Sequence, residues 1–179
     1  MYRIKDDRRV VKSAAMIRDG LIKCLQNKAI TEVSVSEVAN ASNVSRATFY
    51  RIFDAPIDVL KYICDNLATD VINEHSSIKG TDRDEFLKNT FQLWMNRSEI
   101  LEAIMRSGRP DLMLQSFQVL WEKHSDRMPH IIDKSEIDYI NVFFSAMMCS
   151  LLYVWVSHGK KETPEQLLSI FKKISLLGK

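Results

Sequence analysis

The residues of this chain best suited to chemistry lie in the segment SRATFYR, at positions 45–51. Arginine can bind guanine through two parallel hydrogen bonds, the threonine methyl group can contact thymine, and a tyrosine hydroxyl commonly meets a phosphate oxygen. Arg46, Thr48, Tyr50 and Arg51 therefore form a set that can read DNA if one helix presents them to solvent. The same segment can also be the core and surface of an ordinary helical hairpin, with its phenylalanine turned inward.

A short helix and a tight bend must position that set. Ser34 followed by Glu37 is a capping-box pattern, in which each side chain accepts a hydrogen bond from the other residue's backbone, and it predicts a helix beginning after Ser34. Asn43 predicts the bend, because asparagine adopts positive φ more readily than other non-glycine residues. Ser45 can cap the next helix and leave its first amide groups near a phosphate. The pattern is typical of a helix-turn-helix.

Charge is distributed unevenly along the chain. Residues 1–53 contain 10 Lys or Arg against 5 Asp or Glu, and residues 54–179 contain 15 against 18. A basic first third favours a phosphate-bearing partner at that end, although a merely solvated basic face would give the same balance. The basic side chains before residue 10 could reach a phosphate or the minor groove, or belong to a solvated tail: Arg3, Lys5, Arg8 and Arg9.

The rest of the chain is predicted to be helical. Strand patterns are nearly absent, and only 5 Gly and 4 Pro interrupt the 179 residues. We therefore predict an all-α fold of about nine helices in two parts. Besides the two helices around the bend, the predicted helices span about 8–28, 56–75, 83–96, 99–107, 110–127, 135–158 and 164–177.

Cysteine usage and charge indicate the compartment. The three cysteines are widely spaced and odd in number, which indicates no disulfide framework, and the charged first dozen residues do not form a signal-peptide pattern. We therefore predict a cytoplasmic protein. Residues 139–159 carry no charged side chain and approach the length of a bilayer span. Polar residues interrupt them, so we favour a helix buried in the protein or between subunits over a membrane span.

The segment ITEVSVSEVANASNVSRATFYRIFDAPIDVL resembles the DNA-binding domain of TetR-type transcriptional regulators. The resemblance covers roughly residues 8–65 and includes the "VS" of the turn, the Thr-aromatic-Tyr run and the closing Phe53. It implies a homodimer whose recognition helices enter successive major grooves of a near-palindromic operator. Together with the capping Ser45, the positions that the resemblance implies for DNA binding are Ser34, Ser36, Arg46, Thr48, Tyr50 and Arg51.

Two positions depart from the family pattern. The bend holds Asn43 instead of glycine, which the backbone argument tolerates. Pro56 stands where a lysine is expected at the start of the fourth helix, and Ala55 before it has no side chain that can cap. We therefore expect weaker anchoring to the DNA backbone. The substitution also leaves room for an alternative, a helical interaction protein or co-activator that keeps the fold with weakened or lost DNA binding.

The segment IDYINVFFSAMMCSLLYVWVSHGKKETPEQL resembles a TetR-type C-terminal domain, in the subgroup that regulates dihydroxyacetone kinase operons. The resemblance implies that helices 135–158 and 164–177 pair with their counterparts in a four-helix dimer interface. We accordingly divide the chain into a DNA-binding domain, 1–54, and a helical dimerisation and effector-binding domain, 55–179, whose residues 56–75 form a connecting helix. The residues predicted for the interface are Ser145, Cys149, Leu152, Leu167, Phe171 and Ile174.

The middle helices are rich in aromatic residues and methionine, which suits an adaptable apolar pocket for a small-molecule effector. The same residues can simply be core. The predicted pocket residues are Phe91, Trp94, Met95, Met105, Met113, Phe117 and Trp121.

Patterns for catalysis, for metal binding and for phosphate loops are missing from the sequence. It contains no HExxH, no CxxC and no glycine-rich phosphate loop, and its 4 histidines have no close His or Cys partner at helical spacing. We therefore predict no cofactor, no metal and no enzymatic activity. The leading hypothesis is an effector-responsive repressor.

Overall fold

The computed structural model describes residues 2–4, 7–76, 83–123 and 135–176. Within these ranges the chain forms nine α-helices, and its only β structure is an isolated bridge between Tyr2 and Phe53. The predicted all-α fold of about nine helices is therefore confirmed.

The helices begin within two residues of the predicted positions. A short 3₁₀ turn at Ile30–Glu32, which no periodic pattern predicts, precedes the second helix. The helices are α1 Arg8–Cys24, α2 Val35–Ala41, α3 Arg46–Ile52, α4 Pro56–Ser76, α5 Arg83–Met95, α6 Ser98–Arg106, α7 Asp111–Lys123, α8 Ile137–Ser157 and α9 Pro164–Leu176.

The chain divides into two compact units. The first consists of Met1–Asn66 with Glu102–Ser116, and the second of Leu67–Leu101 with Phe117–Lys179. Compactness does not assign function, so the functional division after residue 54 stays a prediction.

The core of the first unit forms where α1, α2 and α3 meet. One face of α1 is fully buried through Ala14, Ile17 and Leu21, as the spacing of three and four residues requires. Phe49 and Ile52 of α3 are buried as completely. Burying one side chain of this size stabilises the fold by about 1.5–3 kcal/mol. The outer faces of the same short helices remain free to carry polar side chains.

Gly20 permits the close crossing of α1 and α2. A Cβ atom at this position would lie 2.9 Å from the backbone nitrogen of Ser42 and would also overlap the Ser42 side chain. That side chain cannot move freely, because its hydroxyl is buried and donates to the carbonyl of Val38 at 2.6 Å. A glycine is therefore required sterically at this point of α1.

We expect Gly20→Ala to lower the free energy of unfolding by about 1–3 kcal/mol, despite alanine's helix-propensity advantage of about 1 kcal/mol. Urea denaturation measures the change. Ser42→Gly in the same chain removes the overlapping side chain and should restore part of the loss. An alanine variant more stable than the parent would show that the crossing is looser than described.

A carboxylate in the first unit joins three distant parts of the chain. Asp65 of α4 accepts hydrogen bonds from the Tyr2 hydroxyl at 2.8 Å, from Nζ of Lys61 at 2.6 Å and from the Ser116 hydroxyl of α7 at 2.6 Å. Burial raises the pKa of Asp65, but these hydrogen bonds outweigh the burial and hold the pKa below its ordinary value. The network fixes the first half of α4 to the N-terminal arm and to α7.

The second unit has an aromatic core. The ring of Phe91 in α5 lies 6.3 Å from that of Phe171 in α9, and the ring of Trp94 lies 5.2 Å from that of Phe117. Phe91, Trp94 and Phe171 are each at most 1% exposed. These side chains therefore hold the unit together.

The joint between α8 and α9 is fixed by local hydrogen bonds. Gly159, with φ of 80°, ends α8, and the Lys160 amide donates to the Trp155 carbonyl at 2.9 Å in a Schellman motif. Thr163 and Gln166 then form a reciprocal cap around the start of α9 at Pro164. Both helix ends agree with the predictions from the sequence.

Candidate nucleic-acid interface

The first turn of α2 is held by the predicted capping box. The Ser34 hydroxyl accepts from the Glu37 amide at 3.2 Å, and the Glu37 carboxylate accepts from the Ser34 amide at 2.8 Å. An ion pair with Lys28 and the Ser34 hydrogen bonds lower the pKa of Glu37 to about 2. Ser34 and Ser36 are both exposed. The Ser34 hydroxyl also donates to the Glu37 carboxylate at 2.8 Å.

Asn43 makes the bend between α2 and α3. Its φ is 53°, in the left-handed region, and the following Val44 amide donates to the Ala39 carbonyl at 3.0 Å. Asparagine tolerates this geometry better than residues with larger or branched side chains do. The prediction that Asn43 replaces the usual glycine at the bend is confirmed.

We expect Asn43→Ala to lower the free energy of unfolding by about 1 kcal/mol, because alanine pays the steric cost of left-handed geometry without asparagine's local hydrogen bonding. Asn43→Gly is the matched control and should leave the stability unchanged or slightly raised, since glycine adopts positive φ freely. Thermal and urea unfolding of the pair measure this difference. Equal stability of the two variants would show that the bend does not depend on positive φ.

The third helix turns one face inward and one outward. Phe49 and Ile52 are buried, whereas Arg46, Tyr50 and Arg51 are exposed. Ser45 caps the helix by accepting from the Thr48 amide at 3.1 Å, and the two hydroxyl oxygens lie 3.0 Å apart. The helix therefore presents two guanidinium groups and one phenol from a rigid support.

All seven residues predicted for DNA binding lie on this corner. Thr48 is half-buried, and the other six are exposed: Ser34, Ser36, Ser45, Arg46, Tyr50 and Arg51. Neither Arg46 nor Arg51 forms an ion pair with any residue in the described ranges, so both guanidinium groups can approach an anion. The structure thus brings the predicted set together on one supersecondary motif.

The N-terminal arm is held against the same motif. The Arg3 amide donates to the Ile52 carbonyl at 2.8 Å, and the Arg3 guanidinium pairs with Asp54 at 2.7 Å. The Tyr2 ring packs 6.2 Å from that of Phe53. Arg3 therefore contacts the chain itself. Arg8 and Arg9 are exposed at the start of α1, whereas Lys5 lies outside the described residues.

The start of α4 is capped from inside the helix. Ala55 offers no side-chain cap, as the sequence indicates, but the Asp58 carboxylate accepts from the Ala55 amide at 3.0 Å and from the Asp54 amide at 3.2 Å. This is half of a capping box, and sequence reasoning missed it although Asp58 stands three residues after Ala55. The turn from Asp54 to Asp58 carries two carboxylates and no cationic side chain.

The comparisons with known proteins agree on one family. A TetR-type family model, described as the C-terminal region of transcriptional regulators, matches residues 81–176, which is more than half of the chain. The chain belongs to the TetR family of transcriptional regulators. Members of this family bind DNA and act as dimers, and they are soluble regulators rather than enzymes.

Solved structures show the same fold over the full chain. The protein resembles Lin0861 from Listeria innocua at a TM-score of 0.84 and 16% identity, covering 99% of this chain and 96% of that one. It resembles a TetR transcriptional regulator from Streptococcus agalactiae 2603V at a TM-score of 0.65 and 20% identity, covering 94% of this chain and 96% of that one. It also resembles the dihydroxyacetone kinase operon activator DhaS, at a TM-score of 0.56 and 17% identity, covering 93% of this chain and 94% of that one. No curated protein matches the chain at the sequence level.

The predicted pocket residues of this TetR-family chain fall into both compact units. Phe91, Trp94, Met95 and Phe117 lie in the second unit, where all but the half-buried Met95 are buried. Met105 and Met113 lie in the first unit, and the side chain of Trp121 is outside the described residues. Membership of the effector pocket therefore stays a prediction, and only the second-unit residues are seen to share a core.

Most residues predicted for the dimer interface face the chain's own interior. Ser145, Leu152, Leu167 and Phe171 are at most 3% exposed within a single chain, and Cys149 is half-buried. Burial raises the pKa of the Cys149 thiol to about 12. Ile174 alone of the six is exposed. The face that α8 and α9 leave open carries other apolar side chains: Tyr139, Val142, Phe143, Tyr153, Val154 and Ile170.

One helix of the described residues, Ile137–Ser157, is long and apolar enough to cross a bilayer, and 33% of its apolar window is buried in the chain itself. A single such helix does not indicate a membrane protein in a family of soluble regulators. Across the described ranges, no three His, Cys, Asp or Glu side chains cluster closely enough to hold a metal ion.

Proposed function

We propose that this protein is an effector-responsive TetR repressor, acting in the cytoplasm as a homodimer on a near-palindromic operator. The observation that carries the proposal is the outer face of α3, where Arg46, Tyr50 and Arg51 are exposed on a helix whose opposite face is fully buried. A rigid helix whose two arginines form no ion pair within the described ranges fits the major groove, where arginine recognises guanine.

The two serine caps complete the proposed interface. Ser34 and Ser45 stand at the starts of α2 and α3, where both residues are exposed and can approach the DNA backbone. Contacts of this kind position a protein on the duplex without reading sequence. In this proposal the serines set the register, and Arg46, Thr48 and Arg51 read bases.

The homodimer would form through the exposed apolar face of α8 and α9. Tyr139, Phe143 and Tyr153 of α8 are more than half exposed in the single chain. A contiguous apolar face of this kind is typical of a protein–protein interface. The proposed occupant is a second copy of the chain, because family members act as dimers.

An alternative is a co-activator or interaction protein of the same fold with weakened DNA binding. The acidic start of α4 favours this reading, because Asp54 and Asp58 stand where a phosphate anchor would help. DhaS, which shares the fold, is described as an operon activator. If the unmodified protein forms a dimer but does not bind operator DNA, this alternative is favoured.

Arg51→Ala tests the proposal on the chain's own upstream DNA. We expect the specific complex to weaken by about 1–3 kcal/mol, or roughly 5- to 150-fold in Kd, because one bidentate base contact is lost. The matched control is Lys161→Ala, which removes an exposed cation from the second unit and should leave Kd unchanged. Gel-shift or anisotropy titration measures both. Equal DNA affinity of the parent and Arg51→Ala would show that α3 is not part of the DNA interface.

A further inference from the structure

Two buried polar side chains of α8 have no hydrogen-bonding partner. Asn141 is 2% exposed and Ser145 is 1% exposed. Both amide atoms of Asn141 and the hydroxyl of Ser145 lack partners among the described residues. Residues four apart lie on the same helical face, so the three polar atoms belong to one patch.

The helix itself does not satisfy these groups. A serine in a helix can donate to the carbonyl four residues earlier, as the exposed Ser150 of the same helix does to Ala146 at 2.7 Å. Ser145 makes no such bond. Buried polar groups are bonded in nearly all native structures, so each exception requires an explanation.

Bulk water and a second subunit are poor explanations. Asn141 and Ser145 are buried by the chain's own residues, so a partner docked on the outer face of α8 cannot reach them. That outer face is marked by Tyr139 and Phe143, which lie on the exposed side of the same helix. The occupant must therefore be small enough to enter the second unit.

Helix α8 also contributes to the aromatic core of the second unit. Phe144 precedes Ser145 on α8, and its ring lies 5.7 Å from that of Phe171, which in turn lies 6.3 Å from that of Phe91. A few polar groups against an apolar aromatic wall are typical of a small-molecule site.

The chemistry of the patch favours an uncharged ligand. A carboxamide and a hydroxyl can both donate and accept, but neither balances a buried ionic charge. Several charged side chains of the second unit pair with each other, as in Lys88–Glu165, Lys172–Asp84 and Arg97–Asp70. Neither Asn141 nor Ser145 would supply a counter-charge to a carboxylate or ammonium head group.

We propose that Asn141 and Ser145 bind the polar head of a small uncharged amphiphile, such as a primary amide or alcohol on a hydrocarbon chain. The hydrocarbon part would pack against Phe91, Phe144 and Phe171. The inference rests on the proposed function, in which an effector controls the regulator, and it assigns that effector a chemical class.

Three eight-carbon probes test the class: octanamide, 1-octanol and octanoate. Calorimetry on the full-length protein should show binding of octanamide and 1-octanol, and binding of octanoate about tenfold or more weaker. Asn141→Leu and Ser145→Ala should each weaken octanamide binding about tenfold or more, since hydrogen bonds to the head group are lost. Ser150→Ala, on the exposed side of the same helix, is the matched control and should bind like the parent.

Thermal unfolding without any probe gives a second readout. Asn141→Leu should raise Tm, because it replaces an unpartnered buried amide by a side chain of similar volume. Octanoate binding as tight as octanamide binding overturns the uncharged class. Undiminished octanamide binding by both variants overturns the inference, and so does failure of the parent protein to bind either neutral probe. A lowered Tm for Asn141→Leu would in addition assign the patch a buried water only.

The outcome is separable from that of the proposed function. A protein that binds its upstream DNA but neither neutral probe overturns this inference alone. If the protein binds octanamide through Asn141 and Ser145 but does not bind DNA, the ligand site is supported and the proposed repressor function is contradicted.

Discussion

Phe143→Asp is expected to convert the proposed dimer into a folded monomer. Phe143 is 68% exposed in the single chain, so the substitution leaves the protomer's own core intact. Its aromatic ring would lie in the proposed interface of α8, where an aromatic anchor contributes about 2–4 kcal/mol to association. Losing it should raise the dimer Kd by roughly 30- to 1,000-fold. Light scattering at micromolar protein concentration, with far-UV circular dichroism for folding, measures the result.

Phe171→Asp is the contrasting variant and should not fold. Phe171 is 1% exposed, and its ring contacts those of Phe91 and Phe144. Truncating a buried phenylalanine costs about 3–5 kcal/mol, and the unpaired charge adds to it, against a total stability of about 5–15 kcal/mol. If Phe143→Asp remains an unaltered dimer, the interface lies elsewhere on the molecule. A well-folded monomeric Phe171→Asp would show that this ring faces a second subunit instead.

Asp65→Asn is expected to lower the free energy of unfolding at neutral pH by about 2 kcal/mol, because three hydrogen bonds to a half-buried carboxylate lose their charge. The hydrogen bonds that Tyr2, Lys61 and Ser116 donate to Asp65 would each become weaker or be lost. Asp19→Asn, an exposed carboxylate in the same unit paired with Arg18, is the control and should change stability by about 0.5 kcal/mol or less. Urea denaturation of the three proteins measures this.

The contribution of Asp65 should depend on pH with a definite sign. Its pKa is lowered in the folded state, so the stability it provides is complete above the ordinary carboxyl pKa near 4 and is lost as pH falls through the folded value. The difference in free energy of unfolding between the parent and Asp65→Asn should therefore become smaller when unfolding is measured at about pH 3. A gap that stays constant would show that the carboxylate charge does not stabilise the fold.

Features set by neighbouring residues could be predicted from the sequence. The capping box of Ser34 and Glu37, the bend at Asn43 and the cap at Ser45 each depend on a few adjacent positions, and the structure contains all of them. The helix starts follow from the same local rules. The side chains proposed to read DNA could be selected from the sequence because they lie within two turns of one helix, α3.

Features set by distant residues could not be predicted. Asp65 and Ser116 are 51 positions apart, and no local pattern pairs them. Helix α8 is apolar nearly all round, so its period does not distinguish the face of Leu152, which is buried, from the face of Phe143, which is exposed. Asn141 could be recognised as a possible site only once its burial without a partner was known.

Salt dependence of binding to the chain's own upstream DNA distinguishes a DNA-reading regulator from an interaction protein of the same fold. We expect a complex much tighter than that with a scrambled duplex, and we expect log K of the specific complex to fall linearly with log salt by about 0.9 for each phosphate contacted. Arg46, Arg51 and the capped starts of α2 and α3 would supply those contacts. Binding that is equal for both duplexes, or no salt-sensitive binding to any upstream fragment, would contradict a DNA-reading regulator.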